Sequence, residues 1–204
     1  MKNKPVFLFY DVETNGLPDY RSPIQAKHQP HIVQMGAILT DSEFNELERL
    51  DVIVKPNGWT IPKQVSDIHG ITEERAMSEG IPEHEMLYRF AEMVEKATER
   101  IAFNDKFDSY LVSILIERFG SNDMQARWQK FPVTCAMEIA TPKCNIPPTP
   151  KMIAAGFNRP KNPKLEEAVK ILMGETMEGA HAAIVDVEYT VRLYKHMIQA
   201  PLNQ

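Results

Sequence analysis

The sequence contains little cysteine: its 204 residues include two, Cys135 and Cys144. Two cysteines cannot form the disulfide framework of a small secreted domain, nor a cysteine-rich zinc site. An excess of positive charge is also missing, because the formal net charge is −5. This balance excludes a polycation that coats duplex DNA over a wide surface. A metal cluster and a local basic patch could still hold a few phosphates.

Long hydrophobic runs and internal repeats are absent as well. The apolar run that follows the initial Met-Lys-Asn-Lys is too short for the hydrophobic region of a signal peptide or for a membrane span. We therefore expect no membrane association and a reduced, cytoplasmic location. What is present is an ordinary globular composition, with 43% hydrophobic and 25% charged residues, which is enough for one sizeable core.

The first apolar run and the acids that follow it organise the chain. Residues 6–10 are apolar and predict a strand that is buried on both faces. Successive strand side chains point to opposite faces, so Asp11 and Glu13 project on the same side, about 7 Å apart. Two carboxylates at this spacing repel unless a proton or a cation lies between them, and a divalent metal is the usual cation. A pair of carboxylates at a strand end is more often a solvated edge or a turn than a metal site, so residues elsewhere in the chain must distinguish the two interpretations. The next residues suit a sharp exit, because Asn15 and Gly16 tolerate positive φ.

Sequence patterns predict further strands and helices downstream. Residues 32–39 and 49–54 read as two strands of an antiparallel hairpin. Thr72 is a candidate N-cap, and one helical face carries Leu87, Phe90, Val94 and Ala97. Residues 100–103 form a short apolar run into a helix that Asn104 and Asp105 cap and Gly120 ends.

The last third of the chain is less regular. Residues 131–140 read as a strand that enters a helix, and residues 141–163 hold six of the 15 prolines. We expect this segment to be an insertion or loop. A closing helix carries the apolar stripe Val187, Val191, Tyr194 and Ile198. Together these elements predict one α/β domain over residues 1–204, with a mixed sheet flanked by helices.

Three further acids and one histidine fall at helix starts. Asp108 lies on the first turn of a helix, where an acid often does no more than complement the helix dipole, and Asp105 is best explained in that way. Asp186 lies about 100° from the centre of the closing helix's apolar stripe. On one regular helix His181 would point about 140° away from Asp186. The two can face one site if His181 lies on a loop or first turn, which Gly179 makes feasible.

These residues form ordered motifs that resemble the DEDD exonuclease superfamily, in its histidine-containing (DEDDh) branch. That branch includes ribonuclease T, the proofreading epsilon subunit of bacterial replicative polymerase, and related phage and bacterial exonucleases. In chain order the motifs are Asp11-x-Glu13, Asn104-x-x-Phe107-Asp108 and His181-x-Ala183-x-x-Asp186. Segments 13–17, 32–37 and 69–72 look like the family's connecting segments. Residues 103–104 are Phe-Asn where the family often has His-Asn.

The resemblance implies a ribonuclease H-like fold and hydrolysis of phosphodiester bonds at a 3′ end by a two-metal-ion mechanism. Asp11 would bridge two Mg²⁺ or Mn²⁺ ions, Glu13 and Asp186 would bind the ion that activates water, and Asp108 would hold the other. His181 would be the general base, since imidazole accepts protons near neutral pH. The residues expected to contact the terminal nucleotide are Thr14, Gly16, Leu17, Asn104 and Phe107.

The sequence leaves substrate and partners open. Single-stranded DNA is the expected substrate. An exoribonuclease that trims tRNA or degrades short oligoribonucleotides is the alternative, and a non-catalytic nucleic-acid-binding scaffold is a further one. A DNA polymerase or another replication protein is a candidate partner, although the clamp-peptide likeness of residues 199–202 is too weak to support one. His28 and His31 are a weaker candidate metal site.

A basic segment interrupts the acidic chain. Residues 143–170 carry six cations, at positions 143, 151, 159, 161, 164 and 170, against Glu166 and Glu167. A charged run of this kind is usually a solvated face. The functional alternative is a flank that guides phosphates toward the cleft.

Overall fold

The computed structural model describes residues 4–199, so residues 200–202 of the clamp-like tail lie outside it. The strands are β1 (Phe7–Thr14), β2 (Ile32–Thr40), β3 (Glu46–Ile53), β4 (Glu99–Ala102) and β5 (Val133–Cys135). The helices are α1 (Lys63–His69), α2 (Glu73–Glu79), α3 (Glu83–Lys96), α4 (Asp105–Phe119), α5 (Asn122–Lys130), α6 (Ala136–Cys144), α7 (Pro150–Ala154), α8 (Leu165–Met173) and α9 (Ala183–Gln199). None of the helices within residues 4–199 combines the length and apolarity needed to cross a bilayer.

The five strands form one mixed sheet in the order β3-β2-β1-β4-β5. The β1–β2 and β2–β3 pairs are antiparallel, while β1–β4 and β4–β5 are parallel. Helices α3 and α4 pack on one face, and α6, α8 and α9 pack on the other. This architecture confirms the predicted α/β class with a mixed sheet flanked by helices, including the antiparallel hairpin.

Strand β1 lies at the centre of the sheet and fills both cores. Leu8, Tyr10 and Val12 enter the core under α3 and α4, whereas Phe7 and Phe9 pack toward α9. Because side chains alternate along a strand, Asp11 and Glu13 lie on the α9 face, as the spacing predicts. Pairing with β4 ends at Phe9, opposite Ile101. The rest of that edge of β1 is therefore open to other hydrogen-bond partners.

The exit from β1 does not use the positive φ that Asn15 and Gly16 tolerate. Neither Asn15 nor Gly16 has positive φ. A register shift between Glu13 and Thr14 turns the chain instead. The Asn15 side chain then holds the loop: its Nδ2 donates to the Thr60 carbonyl at 3.1 Å, and its Oδ1 accepts from the His31 N–H at 2.7 Å. Side-chain hydrogen bonds thus replace left-handed backbone geometry at this turn.

The apolar stripe of α9 is rotated from the predicted one. Of the predicted positions, Val187 and Tyr194 are buried, whereas Val191 is half-buried and Ile198 is 48% exposed. The buried positions of the helix are Ala183, Val187, Thr190, Leu193, Tyr194 and Met197. Thr190 can be buried because its hydroxyl donates to the Asp186 carbonyl at 2.7 Å. At 100° per residue, Asp186 lies only about 50° from the centre of this stripe, not about 100°. It therefore faces the sheet more directly than the sequence predicts.

The sequence predicted an insertion or loop at residues 141–163, and the structure is more ordered there than predicted. Pro142 lies inside α6, near its end. Pro150 is at the first position of α7, where the missing N–H has no helical partner to lose. Residues 145–149 and 155–164 are irregular. The sequence also gave no indication of α1, α5 and α8.

Candidate active site

The candidate site lies where the parallel strands β1 and β4 end and where α4 and α9 begin. Crevices at the carboxyl ends of parallel strands are the usual ligand sites of α/β sheets. Asp11 and Glu13 come from β1, Asp108 from the first turn of α4, and Asp186 from the first turn of α9. The fold thus brings to one place four acids that are widely separated in sequence.

Asp108 occupies the open edge of β1. Its Oδ1 accepts a hydrogen bond from the Val12 N–H at 3.2 Å, beyond the point where β4 pairing stops. The side chain is 2% exposed. Asp108 therefore does more than complement a helix N-terminus, because it satisfies a strand N–H and its carboxyl group is near Asp11 of β1.

The base of α4 is held by a cluster that the sequence analysis did not identify. Asp105 was assigned to helix capping, but its Oδ1 accepts from the Tyr10 hydroxyl at 2.8 Å and lies 3.4 Å from Arg100 Nε. Arg100 is buried over the Trp128 ring, with its guanidinium carbon 3.8 Å from the ring centroid. Asn104 begins the helix without a side-chain capping bond. These contacts fix the first turn of α4, and with it Asp108.

Two residues of β2 bring α9 against the sheet. Gln34 Oε1 accepts from the Ala183 N–H at 3.1 Å, and Gln34 Nε2 donates to Asp51 Oδ1 at 2.7 Å. A Cβ at Gly36 would lie 2.6 Å from the backbone of Ala183 and Ile184, so only glycine permits this approach. The segment 32–37 was noted as a family-like segment, but its role in docking α9 was not predicted.

His181 reaches the site from the loop before α9. Its φ is 68°, and α9 begins two residues later. His181 therefore lies on a loop, which is the condition under which it can face the same site as Asp186. Ligand atoms of Glu13, His181 and Asp186 lie within 4.8 Å of one another. His181 Nε2 is also 3.7 Å from Glu166 Oε1, at the start of α8. The histidine ring therefore lies close to the acids and is also exposed to solvent.

Burial and mutual repulsion raise the pKa values of all four acids. Burial, and then the nearby Asp108, Asp186 and Glu13, raise the pKa of Asp11 well above its usual range. Burial also raises the pKa of Asp108, against the Val12 hydrogen bond that lowers it. Burial, with Asp186 and Asp108 nearby, raises the pKa of Glu13 to about 8, and burial raises that of Asp186 to about 6. Removal from water and mutual repulsion both disfavour the charged forms.

The donor set fits divalent metal ions. None of the ion pairs formed among residues 4–199 involves Asp11, Glu13, Asp108 or Asp186, so no lysine or arginine there neutralises them. Asp186 Oδ1 is buried and has no hydrogen-bond partner. Buried, mutually repulsive carboxylate oxygens, one of them without a hydrogen-bond partner, match the ligand chemistry of hard divalent cations.

The predicted nucleotide contacts lie at the rim of the site. Thr14 is buried, and its hydroxyl donates to the Gly16 carbonyl at 2.8 Å, while Leu17 is 84% exposed. At the start of α4, Asn104 is exposed. Phe107 packs partly against the core, so it combines the structural role with a partly exposed surface.

His28 and His31 do not share a site. His28 Nε2 lies 3.2 Å from Asp19 Oδ2. His31 Nδ1 lies 2.9 Å from Glu83 Oε2, and its ring stacks on Trp59 with centroids 4.7 Å apart. Their different partners show that the two rings serve to hold the loop after β1, and the weaker metal-site hypothesis is not supported.

Comparison with known proteins gives one family match. The sequence matches the RNase_T model, described as exonuclease, over residues 8–194. No curated relative matches.

Similar solved structures include three complexes of E. coli exonuclease I. The zinc-bound complex with single-stranded DNA has a TM-score of 0.71 at 23% identity, covering 95% of this chain and 40% of that chain. A complex with a dT13 oligonucleotide gives 0.71 at 23%, covering 94% and 40%. A complex with a dA16 oligonucleotide gives 0.69 at 23%, covering 94% and 41%. The chain thus spans about 40% of the length of the structures it matches, and the likeness shows a shared fold.

Proposed function

The chain belongs to the RNase_T exonuclease family, and on this premise we propose that it is a metal-dependent enzyme that removes mononucleotides from the 3′ end of single-stranded DNA. The observation that carries the proposal is the convergence of four carboxylates from β1, α4 and α9, with His181 beside them. The 3′ polarity and the histidine-containing subtype rest on the motif resemblance. Single-stranded DNA is supported by the exonuclease I complexes, whose bound strands are DNA.

The roles that we propose for the residues combine the motif resemblance with their positions. Asp11, Glu13, Asp108 and Asp186 would hold two divalent ions, with Mg²⁺ or Mn²⁺ as the expected pair. When bound, such ions neutralise the phosphate charge and lower the pKa of a water. His181 would take the proton of the attacking water and is close enough to Glu13 and Asp186 to act beside them. Glu166, near His181 Nε2, would orient the ring.

The residues at the rim would position the strand. Leu17 and Phe107 offer apolar surface to an unstacked terminal base, and Thr14, Gly16 and Asn104 offer polar backbone and side-chain groups to the terminal nucleotide. A paired end must first be unstacked at a cost of a few kcal/mol, so duplex ends are expected to react more slowly. We further propose that the chain forms a single exonuclease domain with the 141–163 segment as an insertion.

The test uses labelled single-stranded DNA, duplex DNA and RNA of one sequence, each carrying the label at either the 5′ or the 3′ end. Reactions contain Mg²⁺, Mn²⁺, Zn²⁺ or EDTA. We expect a ladder that shortens from the 3′ end of single-stranded DNA, that requires metal and that is absent in Asp11→Ala. Internal cuts, removal from the 5′ end or activity in EDTA would refute the proposal, and faster cleavage of RNA would assign an exoribonuclease.

Two other predictions from the sequence need separate measurements. Association with a polymerase or another replication protein stays a prediction, which affinity purification of the Asp11→Ala protein from cells would check. A cytoplasmic location also stays a prediction, and cell fractionation would check it.

A further inference from the structure

An exposed aromatic residue stands beside the candidate active site. Tyr20, in the loop after β1, is 51% exposed. Its ring lies on that of Tyr110 in α4, with centroids 4.8 Å apart and planes at 48°. Lys106 Nζ is 5.8 Å from the centroid of the Tyr20 ring. We call these three residues the Tyr20 platform.

The platform rests on fixed parts of the molecule. Tyr110 packs against the core under α4, and Lys106 lies one helical turn before it on the same helix face. The loop that carries Tyr20 is held by Asp19 and Gln29: the Asp19 N–H donates to Gln29 Oε1 at 3.1 Å, and Gln29 Nε2 donates to the Asp19 carbonyl at 2.9 Å. Gln29 is 1% exposed. A ring on such a support loses little conformational freedom when it binds a ligand.

The platform is also close to the catalytic acids. It comes from the chain segments that carry the acids: Tyr20 lies in the loop after β1, and Lys106 and Tyr110 flank Asp108 in the first two turns of α4, on a helix face about 160° from it. Burial raises the pKa of the Tyr20 phenol, and the nearby negative charge of Asp108 raises it further. A nucleic acid strand that leaves the four acids over the start of α4 would pass near the Tyr20 ring. The chemistry of the group suits such a strand, because aromatic faces stack on bases and lysine pairs with phosphate.

We propose that Tyr20, Tyr110 and Lys106 form a second nucleotide subsite, in which Tyr20 stacks on a base upstream of the terminal nucleotide and Lys106 contacts a backbone phosphate. This inference rests on the proposed function and adds to it a residue set outside the motifs. The subsite makes affinity depend on strand length: a strand gains binding energy once it is long enough to reach the ring. Stacking is tolerant of base identity, so the subsite adds affinity without sequence preference.

Binding of 5′-labelled oligothymidylates of two to eight nucleotides tests the subsite, measured by fluorescence anisotropy with Mg²⁺. All proteins carry Asp11→Asn to prevent cleavage, and thermal melting checks that each is folded. In the Tyr20 parent, Kd should fall at the length that reaches the platform. Tyr20→Leu should weaken binding of the longer strands about 5- to 100-fold, and Tyr20→Trp should restore it, since stacking needs a ring and not a hydroxyl.

Tyr88→Leu is the matched control, because Tyr88 is equally exposed, at 51%, but lies on α3. It should bind every length as the parent does. Lys106→Gln should lower the slope of log K against log salt by about 0.7, the value for one phosphate contact on a single strand. A 2-aminopurine placed at successive positions should show one position whose quenching disappears in Tyr20→Leu.

The outcomes separate the two proposals. A parent protein that binds no single-stranded DNA at any length would refute the proposed function, and the subsite with it. Length-dependent binding that is identical in Tyr20→Leu and Tyr88→Leu would refute the subsite alone. Failure of Tyr20→Trp to restore the affinity lost in Tyr20→Leu would refute the stacking role.

Discussion

His181 enters the candidate site in a backbone conformation that few non-glycine residues adopt. Its φ of 68° lies in the left-handed region, where histidine is among the better tolerated side chains. This geometry places the ring before α9 begins, so that it reaches the same point as Asp186 despite the five-residue separation. The strained conformation is explained if the position of the ring matters for the reaction.

The first prediction concerns this residue. His181→Ala should lower kcat about 10²- to 10⁴-fold, the usual contribution of a general base. The rise in Tm that Mg²⁺ causes should persist, because the four carboxylates remain. His84→Ala, which changes an exposed histidine on α3, serves as the control. Unchanged turnover would remove His181 from the mechanism, and loss of the metal-induced rise in Tm would make it a metal ligand instead.

At the scale of elements, the position of α9 is decided by its contact with β2. Gly36 lets the backbone of Ala183 approach the strand, and Gln34 accepts the Ala183 N–H. That N–H belongs to the first turn of the helix, where the backbone has no helical partner. Close approach and end-capping therefore act together, and both hold Asp186 against β1.

We predict that Gly36→Ala moves the start of α9 and separates Asp186 from the acids of β1. The added Cβ meets backbone atoms at 2.6 Å, which no side-chain rotation can relieve. Stability should fall by about 1–3 kcal/mol, as in other overpacked cores, and activity and metal-induced stabilisation should be lost. Leu50→Ala, a buried change on β3, should cost similar or greater stability but retain activity. A Gly36→Ala enzyme with normal turnover would contradict this account.

The basic segment is another element with a testable role. Lys161 pairs with Glu167 at 2.7 Å, so it is less available to phosphate than the sequence suggests. Lys151 and Arg159 are exposed and form no ion pair among residues 4–199. The start of α8, which lies within this segment, is beside His181. The phosphate-guiding hypothesis therefore concerns Lys151 and Arg159.

The third prediction is that Lys151→Gln with Arg159→Gln raises KM for long single strands. The salt dependence of binding should also flatten, by about 0.7 in slope for each phosphate contact removed. Lys55→Gln with Lys130→Gln removes the same charge from other exposed positions and should change neither quantity. Equal kinetics in the two double variants would leave the basic segment as a solvated face.

At the scale of the whole molecule, the four acids make metal-free stability depend on pH. The pKa values of Asp11, Glu13, Asp108 and Asp186 are all raised, to about 8 for Glu13 and about 6 for Asp186. Between pH 4 and 8 the folded protein therefore binds more protons at these groups than the unfolded chain, and stability decreases as pH rises. Burial lowers the pKa of His69, so this residue makes stability increase with pH below about pH 6.5. The opposite effect of the four acids is larger because they are four groups and His69 is one.

Urea unfolding in EDTA should accordingly show stability that declines from about pH 5 to pH 8. The slope is at most about 1.4 kcal/mol per pH unit for each proton that the folded state retains. Mg²⁺ should abolish the decline, since the ligands bind it as carboxylates. Asp11→Asn should reduce the decline in EDTA. The surface acids with lowered pKa values, such as Glu46 and Glu167, change the pH dependence of stability only below about pH 4.5. Stability in EDTA that rises through this range would contradict the prediction.

The local patterns of the sequence determined the parts of the fold that depend on neighbouring residues. The two-residue period of a strand was sufficient to put Asp11 and Glu13 on one face, and the short turn was sufficient to pair β2 with β3. Thr72 caps α2 as predicted, because its side chain bonds the N–H of Arg75 three residues away. Motif order added the family and the identity of the five candidate site residues.

The tertiary structure decided what depends on contacts between distant segments. The Val12 N–H is free for Asp108 only because β4 is short, and α9 faces the sheet only because Gly36 and Gln34 receive it. The buried stripe of α9, the partners of Asp105 and the contact between the Tyr20 and Tyr110 rings likewise join residues of different elements. The periodicity of side chains follows from the backbone geometry of a single element. The contacts between polar groups of different elements depend instead on where those elements end and how closely they approach one another. The sequence alone could therefore predict the acids, but only the fold brings them together.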